Sequence, residues 1–294
     1  MRNFILTVVA VVTAGALGAC GAPEVSTTPA PEAAVALRFA VLGDAEPKPE
    51  PQFPGVEAAV RDINAMAEQG RIDFVIGVGD LAHDGTEIQY ENVTPALQRL
   101  TRPFYPIMGN EEHNTTVARF LDYARRWNPE VTSPRYVYDR GPVVMIHASP
   151  DAGRDFNDEG IDWILARMRE VAPKPVFLVV HAAQAGVYPE NAEKGVQNPR
   201  FAEVVSAPNL SAVISGDLHM DMDRTVHSRQ IGRVHYLHMP ALERTKIPDE
   251  TRHTPMFRVF TIFDDGEVRV DTYGTGDAAA LDRHVYRFSL PALP

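Results

Sequence analysis

Cysteine is nearly missing from this chain: Cys20 stands alone among 294 residues. No disulfide can form within it, and the absence of further thiolates argues against a structural zinc site. Basic residues are in the minority, 28 Lys and Arg against 39 Asp and Glu, for a formal charge of −11. So acidic a surface discourages polyanionic partners, and no nucleic acid is expected; it also serves plain solubility. No internal repeat is present, and the composition matches neither disordered nor collagen-like chains. What remains, 45% hydrophobic residues, is enough to bury one large globular core.

The chain opens Met1-Arg2-Asn3 and continues with the apolar FILTVVAVVTAGALGA. That run is too short and too rich in Gly and Ala for a membrane span, and residues 1–19 read as a secretory signal. Its end, Leu17-Gly18-Ala19-Cys20, resembles the lipobox of bacterial lipoproteins, in which the cysteine is acylated and becomes the mature N-terminus. An ordinary signal peptide with an incidental cysteine is the alternative. Gly21, where Asp would favour retention at the inner membrane, implies a lipid-anchored protein on the periplasmic side of the outer membrane. Its only membrane contact would be the anchor on Cys20. Loss of Arg2 with the signal takes the charge from −11 to −12. Residues 20–36, rich in Pro, Ala, Ser and Thr without an aromatic, cannot bury enough to fold and read as a flexible tether.

From Leu37 apolar strand-like runs alternate with helical patterns, the signature of an α/β sheet. In GVEAAVRDINAMAEQG, Val56, Ala59, Val60, Ile63 and Ala67 recur at helical spacing and Gly70 supplies a stop. In DEGIDWILARMREVA, Ile161, Ile164, Leu165, Met168 and Val171 do the same, with Asp158 as the expected N-cap. MFRVFTIFDDGEVRVDTYG gives two alternating strands about an Asp-Asp-Gly turn, a hairpin. The domain is expected over 37–276, with 277–294 as a C-terminal extension.

The chemistry collects where apolar runs stop. LRFAVLGDAE ends at Asp44 and Glu46, DFVIGVGDLAH at Asp80 and His83, and FYPIMGNEEH at Asn110, Glu111 and His113. PVFLVVH ends at His181, and LSAVISGDLH at Asp217 and His219. Parallel strands deliver their C-terminal loops to one edge of a sheet, so these clusters should meet in one crevice. Oxygen and imidazole ligands suit Mg²⁺, Mn²⁺, Zn²⁺ or iron. So many carboxylates need a positive partner, and two divalent cations supply it.

The order Asp, Gly-Asp, Gly-Asn, His, Gly-x-x-His resembles the calcineurin-like metallophosphoesterases over nearly all of residues 38–275. The resemblance implies an α/β fold of four layers, α/β/β/α, in which two packed mixed sheets are flanked by helices, with a dinuclear metal site. It implies Asp80 bridging the two metals, Asp44 and His219 on the first, and Asn110, His181 and Asp217 on the second. Three positions depart from the family pattern, each exchanging imidazole for carboxylate: Glu46, Glu111 and Asp217. Glu46 and Asp217 can still coordinate, and as hard oxygens they favour Mn²⁺ or Mg²⁺ over Fe or Zn. His83 is either a further ligand or a loop histidine beside Asp84 and Gly85.

Glu111 stands where the family has a histidine that assists the leaving group. To donate a proton its pKa must rise well above ~4.3, and desolvation among carboxylates is expected to raise it. His113 could take the role instead, or Glu111 could be one more ligand. Among other histidines, His147 reads as a hydrogen-bonded strand-end residue; His227, His235, His238 and His253 follow the last ligand loop, with His238 best placed. Arg154 and Arg244 are candidate phosphate contacts by charge alone. The expected activity is metal-dependent hydrolysis of a small phosphorylated substrate, monoester or diester, and the extra carboxylates favour a monoanionic diester. The rival reading is an inactive binding lipoprotein that keeps the old crevice.

Overall fold

The computed structural model describes residues 33–48, 50–223, 226–246, 253–276 and 280–291. The expected signal, Cys20 and the tether up to Glu32 lie outside the described residues. Among those described, the strands in chain order are β1 (Val35–Leu42), β2 (Phe74–Gly77), β3 (Phe104–Pro106), β4 (Arg135–Asp139), β5 (Val144–Ala148) and β6 (Val176–Val180). They continue with β7 (Leu210–Ser215), β8 (Ser228–Ile231), β9 (Val234–His238), β10 (Met256–Phe263), β11 (Glu267–Gly274) and β12 (Tyr286–Ser289). Two six-stranded mixed sheets result, ordered β12-β11-β10-β1-β2-β3 and β4-β5-β6-β7-β9-β8. Within them β1, β2 and β3 run parallel, as do β5, β6, β7 and β9.

The inner strands β2, β5, β6 and β7 are buried on both faces because both faces of the sheets are covered there, whereas the edge strands β4 and β8 are polar and partly exposed. Along β1, Phe39 and Val41 enter the core between the sheets, with Phe74, Ile76, Phe177, Val179, Ile214 and Phe260. Phe39 is stacked between Phe74 and Phe260, with ring centroids 5.0 and 4.8 Å away. The alternate residues Ala40 and Leu42 face outward onto helix α1 (Pro54–Glu68) through Val56, Ala59, Val60 and Ile63. The helices α2 (Glu87–Leu97) and α3 (Val117–Trp127) follow. Over the second sheet, α4 (Asp158–Val171) and α5 (Phe201–Ser206) contribute Ile161, Ile164, Met168, Phe201 and Val204 against Val144, Ile146, Leu178 and Val213. The expected α/β/β/α layering is therefore what forms. No helix among the described residues is long and apolar enough to cross a membrane.

Four details differ from the sequence reading. β1 begins at Val35, inside the expected tether, because Val35 pairs with Phe263 of β10. Residues past 276 supply β12, whose Phe288 pairs with Val268 of β11, so part of the expected extension belongs to the sheet. The cap of α4 is Asn157, whose side chain accepts the Gly160 N–H at 2.8 Å. Asp158 is already in the first turn, where its charge faces the positive end of the helix. His147 is fully buried in β5 with neither ring nitrogen hydrogen-bonded, its ring stacked on Tyr136 at 4.6 Å.

Candidate metal centre

Four of the five ligand loops pass through a glycine, Gly43, Gly79, Gly109 or Gly216, directly before the first ligand, whereas His181 follows β6 directly. Asp44, Asp80, Asp217 and His219 all adopt left-handed backbone angles, with φ of 46°, 51°, 79° and 49°. For non-glycine residues this costs on the order of 1–3 kcal/mol each and concentrates at functional sites. Glycine is required beside them for room. A Cβ on Gly109 would lie 2.2 Å from Asp80 Oδ1, and one on Gly216 would lie 2.7 Å from Asp44 Oδ1.

Backbone amides hold the turns. Asp44 Oδ1 accepts the Asp217 N–H at 2.8 Å and its Oδ2 accepts the His219 N–H at 2.9 Å, tying the end of β1 to the end of β7. Glu112 does more: it accepts N–H from Asp80 (2.9 Å), Leu81 (2.7 Å), Ala82 (2.9 Å) and Gly109 (2.6 Å). It thus locks the β2 loop against the β3 loop.

The side chains gather into three groups: Asp44, Asp80 and His219; Asp80, His181 and Asp217; and Glu46, His83 and Glu111. Asp80 belongs to two of them. Its Oδ2 is 3.2 Å from His219 Nε2, and its Oδ1 is 3.3 Å from His181 Nε2. Around His219 Nε2 lie also Glu46 Oε1 at 3.5 Å and Asp44 Oδ1 at 3.8 Å. Around His181 Nε2 lie Asn110 Oδ1 at 3.1 Å and Asp217 Oδ1 at 3.6 Å. His83 Nδ1 sits 2.7 Å from Glu111 Oε2 and 2.8 Å from Glu46 Oε2.

These groups fit divalent cations. His181 donates its Nδ1–H to the Val78 carbonyl at 2.9 Å, which leaves Nε2 as the nitrogen that faces three oxygens. Lone pairs so directed repel unless a proton or a cation lies among them. Glu46 Oε2 is buried with no hydrogen bond, although His83 Nδ1 lies 2.8 Å and Lys48 Nζ 3.7 Å from it. An orphaned anionic oxygen of this kind is what a cation satisfies.

Electrostatics agree with the crowding. Burial would lower His181, yet Asp80 and then Asp217 raise it to about 10. Burial would raise Asp217, but the His181 contact, with Arg154 beside it, holds it down at about 2. Asp80 is likewise held well below the usual carboxylate range by His181 and His219 against the opposing effect of burial. Glu46 is pushed up, chiefly by burial, with Asp80 and Glu111 adding to the rise against His219 and Arg244.

Asp44, Glu46, Asp80, Asn110, His181, Asp217 and His219 thus come together as the sequence suggested, and His83 joins Glu46 and Glu111. The two expected proton donors fare differently. Glu111 is lowered, not raised: burial favours the neutral form, but the Asp84 N–H at 2.9 Å and His83 outweigh it. His113 turns away to the Pro150 carbonyl, with Nε2 2.9 Å from it. Arg154 and Arg244 are engaged by carboxylates, Asp217 (2.6 Å) and Glu46 respectively. His238 lies behind the β7 loop, where its Nε2 accepts the Leu218 N–H at 3.3 Å and its Nδ1 meets His227 Nδ1 at 3.0 Å.

Sequence reasoning gave no role to Glu112, Lys48 or Lys246. Glu112 stood within the motif already singled out, as the second of two adjacent glutamates. Lys48 lies 3.7 Å from Glu46 and 3.8 Å from Glu111, only two residues past Glu46, while Lys246 reaches the Asp217 carbonyl at 3.3 Å with no motif to mark it.

A family model described as Calcineurin-like phosphoesterase matches residues 37–221. The chain is 24% identical over 207 residues to a 3′,5′-cyclic-nucleotide phosphodiesterase of Nostoc sp., covering 66% of this chain and 74% of that protein. It is 32% identical over 105 residues to a probable cyclic nucleotide phosphodiesterase of Rhodopseudomonas palustris, covering 36% of this chain and 37% of that one. Among solved structures, a purple acid phosphatase from yellow lupin (Lupinus luteus) seeds superposes with a TM-score of 0.63 at 14% identity, over 88% of this chain and 54% of its own. This chain therefore spans about half the length of the lupin protein. GAP50, the anchor in the inner membrane complex of Plasmodium, gives 0.57 at 11% identity, over 87% and 89%. At such identities the structures establish a common fold.

Proposed function

Because the chain belongs to the calcineurin-like phosphoesterase family and carries its metallophosphoesterase domain, we propose that its buried ligand groups hold two divalent cations and hydrolyse a phosphate ester. One observation carries the number two: the oxygens of Asp80 point to different imidazoles, His219 and His181. Asp44, Glu46 and His219 would complete the first cation's shell, and Asn110, His181 and Asp217 the second's. Their carboxylate-rich character favours Mn²⁺ or Mg²⁺. Bound there, the cations supply charge stabilisation at the phosphoryl oxygens and a nucleophile at neutral pH.

The chain's own groups do the positioning. His181 presents Nε2 because its other nitrogen is committed to Val78, and Asp44 ties the first and last ligand loops together through Asp217 and His219. Glu111, ionised at neutral pH, orients His83 and cannot serve as the acid for a leaving alkoxide. Phosphodiesters come first among substrates, since both curated relatives are named as cyclic nucleotide phosphodiesterases. The lipobox-like end of the N-terminal segment supports a place on the periplasmic side of the outer membrane, anchored through Cys20. Mass analysis of the membrane fraction should find lipid on that residue and none in Cys20→Ser.

The decisive experiment combines elemental analysis with a panel of 3′,5′-cyclic nucleotides, bis-p-nitrophenyl phosphate and p-nitrophenyl phosphate, repeated on Asp80→Asn. Two tightly held ions and diester turnover in the parent, both lost in the variant, are expected. Two ions without turnover on any ester would favour a binding protein instead. That second reading draws on Glu111, an ionised carboxylate at the position where the sequence reading looked for a proton donor.

A further inference from the structure

Of the five carboxylates in these groups, Glu111 lies against His83 and Lys48, while four, Asp44, Glu46, Asp80 and Asp217, are those that would ligate the two cations. Together they match the charge of two divalent cations, and a site neutralised by its own ligands would hold a phosphate anion weakly. Two of the four, however, carry a guanidinium. Arg154 Nε is 2.6 Å from Asp217 Oδ1, and Arg244 contacts Glu46 Oε1. The carboxylate ends are sealed, with side-chain exposures of 3% for Asp217 and 0% for Glu46, whereas Arg154 and Arg244 keep 28% and 22%. Each pair thus runs from solvent into the ligand cluster, and among the described residues neither guanidinium meets a second carboxylate. Among the described residues, the other two, Asp44 and Asp80, meet imidazole and backbone groups and no guanidinium.

Resting on the two-cation reading above, we propose that Arg154 and Arg244 are positioning residues that act through Asp217 and Glu46. Each cancels the charge of one carboxylate, so that the pair presents itself to a cation as a neutral ligand would. Counted over two divalent cations, their four carboxylates and the two guanidinium groups, the loaded site then keeps two positive charges for a phosphate. These are two of the three positions at which the family pattern has imidazole, so the pairing explains how the substitutions at Glu46 and Asp217 leave the charge there unaltered. It also removes the electrostatic ground for preferring a monoanion, and leaves the preference for diesters resting on the relatives alone.

Calorimetry on the full chain tests this, with Mn²⁺ titrated first and inorganic phosphate then titrated into the Mn²⁺-loaded protein. Arg154→Gln and Arg244→Gln should bind Mn²⁺ as tightly as the parent or more tightly, since a repelling charge is gone, while phosphate affinity falls about tenfold. Arg154→Lys, which keeps the charge, should stay within about threefold of the parent. The paired variants Arg154→Gln with Asp217→His, and Arg244→Gln with Glu46→His, should recover phosphate affinity, which a direct guanidinium–phosphate contact would not allow. Unchanged phosphate binding in the single variants, parallel loss of Mn²⁺ and phosphate, or failure of both pairs to recover would overturn the proposal. If the parent itself takes up no Mn²⁺, the two-cation reading fails first; if it does and the single variants behave like it, only the pairing fails.

Discussion

Replacing Glu112 by Gln removes one of two oxygens that between them accept four backbone N–H groups, at 2.6 to 2.9 Å. Each oxygen serves two donors: Oε2 takes Asp80 and Gly109, and Oε1 takes Leu81 and Ala82. Whichever way the amide is oriented, its NH₂ faces two N–H groups in a site sealed from water. A buried donor without an acceptor costs roughly 1–3 kcal/mol, so the change should destabilise by about 2–6 kcal/mol. Burial and then the Asp80 carboxylate push Glu112 up to about 7, a rise limited by the Gly109 and Ala82 N–H bonds. The substitution therefore reports whether the accepting geometry matters more than the charge. Urea unfolding is the assay, read from the midpoint at constant slope. Glu111→Gln is the control, because Glu111 accepts only one backbone N–H, from Asp84, and should lose no more than about 1.5 kcal/mol. A Glu112→Gln midpoint equal to the parent's, or a larger loss at Glu111, would refute the buttress.

Gly109→Ala should weaken cation binding, because its Cβ would meet Asp80 Oδ1 at 2.2 Å and Asp80 N at 2.5 Å and push the Asp80 loop away. Mn²⁺ affinity measured by calorimetry should fall by about tenfold or more, as expected when a shared ligand is displaced. His147→Phe should make the protein more acid-resistant. Burial pushes His147 down to about 3 from an ordinary 6.5, so between those values the unfolded chain binds the extra proton and stability falls with falling pH. The variant should lack that slope, whose ceiling is roughly 5 kcal/mol, and urea midpoints at pH 5 and 7.5 would test it.

The ligand loops were legible because β1, β2 and β3 run parallel in one sheet and β6 and β7 in the other, so each set sends its C-terminal loops one way, and each strand's apolar run ends in Gly-Asp, Gly-Asn or His. An apolar run that stops at a glycine and a carboxylate is a local signal, written within about ten residues. The N-cap at Asn157 was missed by one position, since adjacent Asn and Asp have similar capping preference and only the backbone angle distinguishes them. The orientation of His113 was not legible either: the 3₁₀ turn over Glu112–Asn114 points its ring to Pro150, and no spacing rule reports where a short turn aims a side chain.

What the strand ends could not reveal is how their charge is balanced, because the balancing groups come from elsewhere in the chain. Asp217 meets an arginine 63 residues before it, and Glu46 meets one 198 residues after it. Counted from sequence alone, the carboxylates implied a weakened field at the site and a glutamate with a raised pKa. With the partners in place, Glu111 is lowered by an amide and an imidazole, and Asp217 and Glu46 are each met by a guanidinium. A carboxylate in a motif therefore marks where a cation can bind, while the anion affinity proposed for the loaded site would depend on residues that no motif contains. For this chain the charge of the centre belongs to the loops after β5 and β9 as much as to the ligands themselves, and substitutions at Arg154 and Arg244 should move substrate binding while leaving every ligand in place.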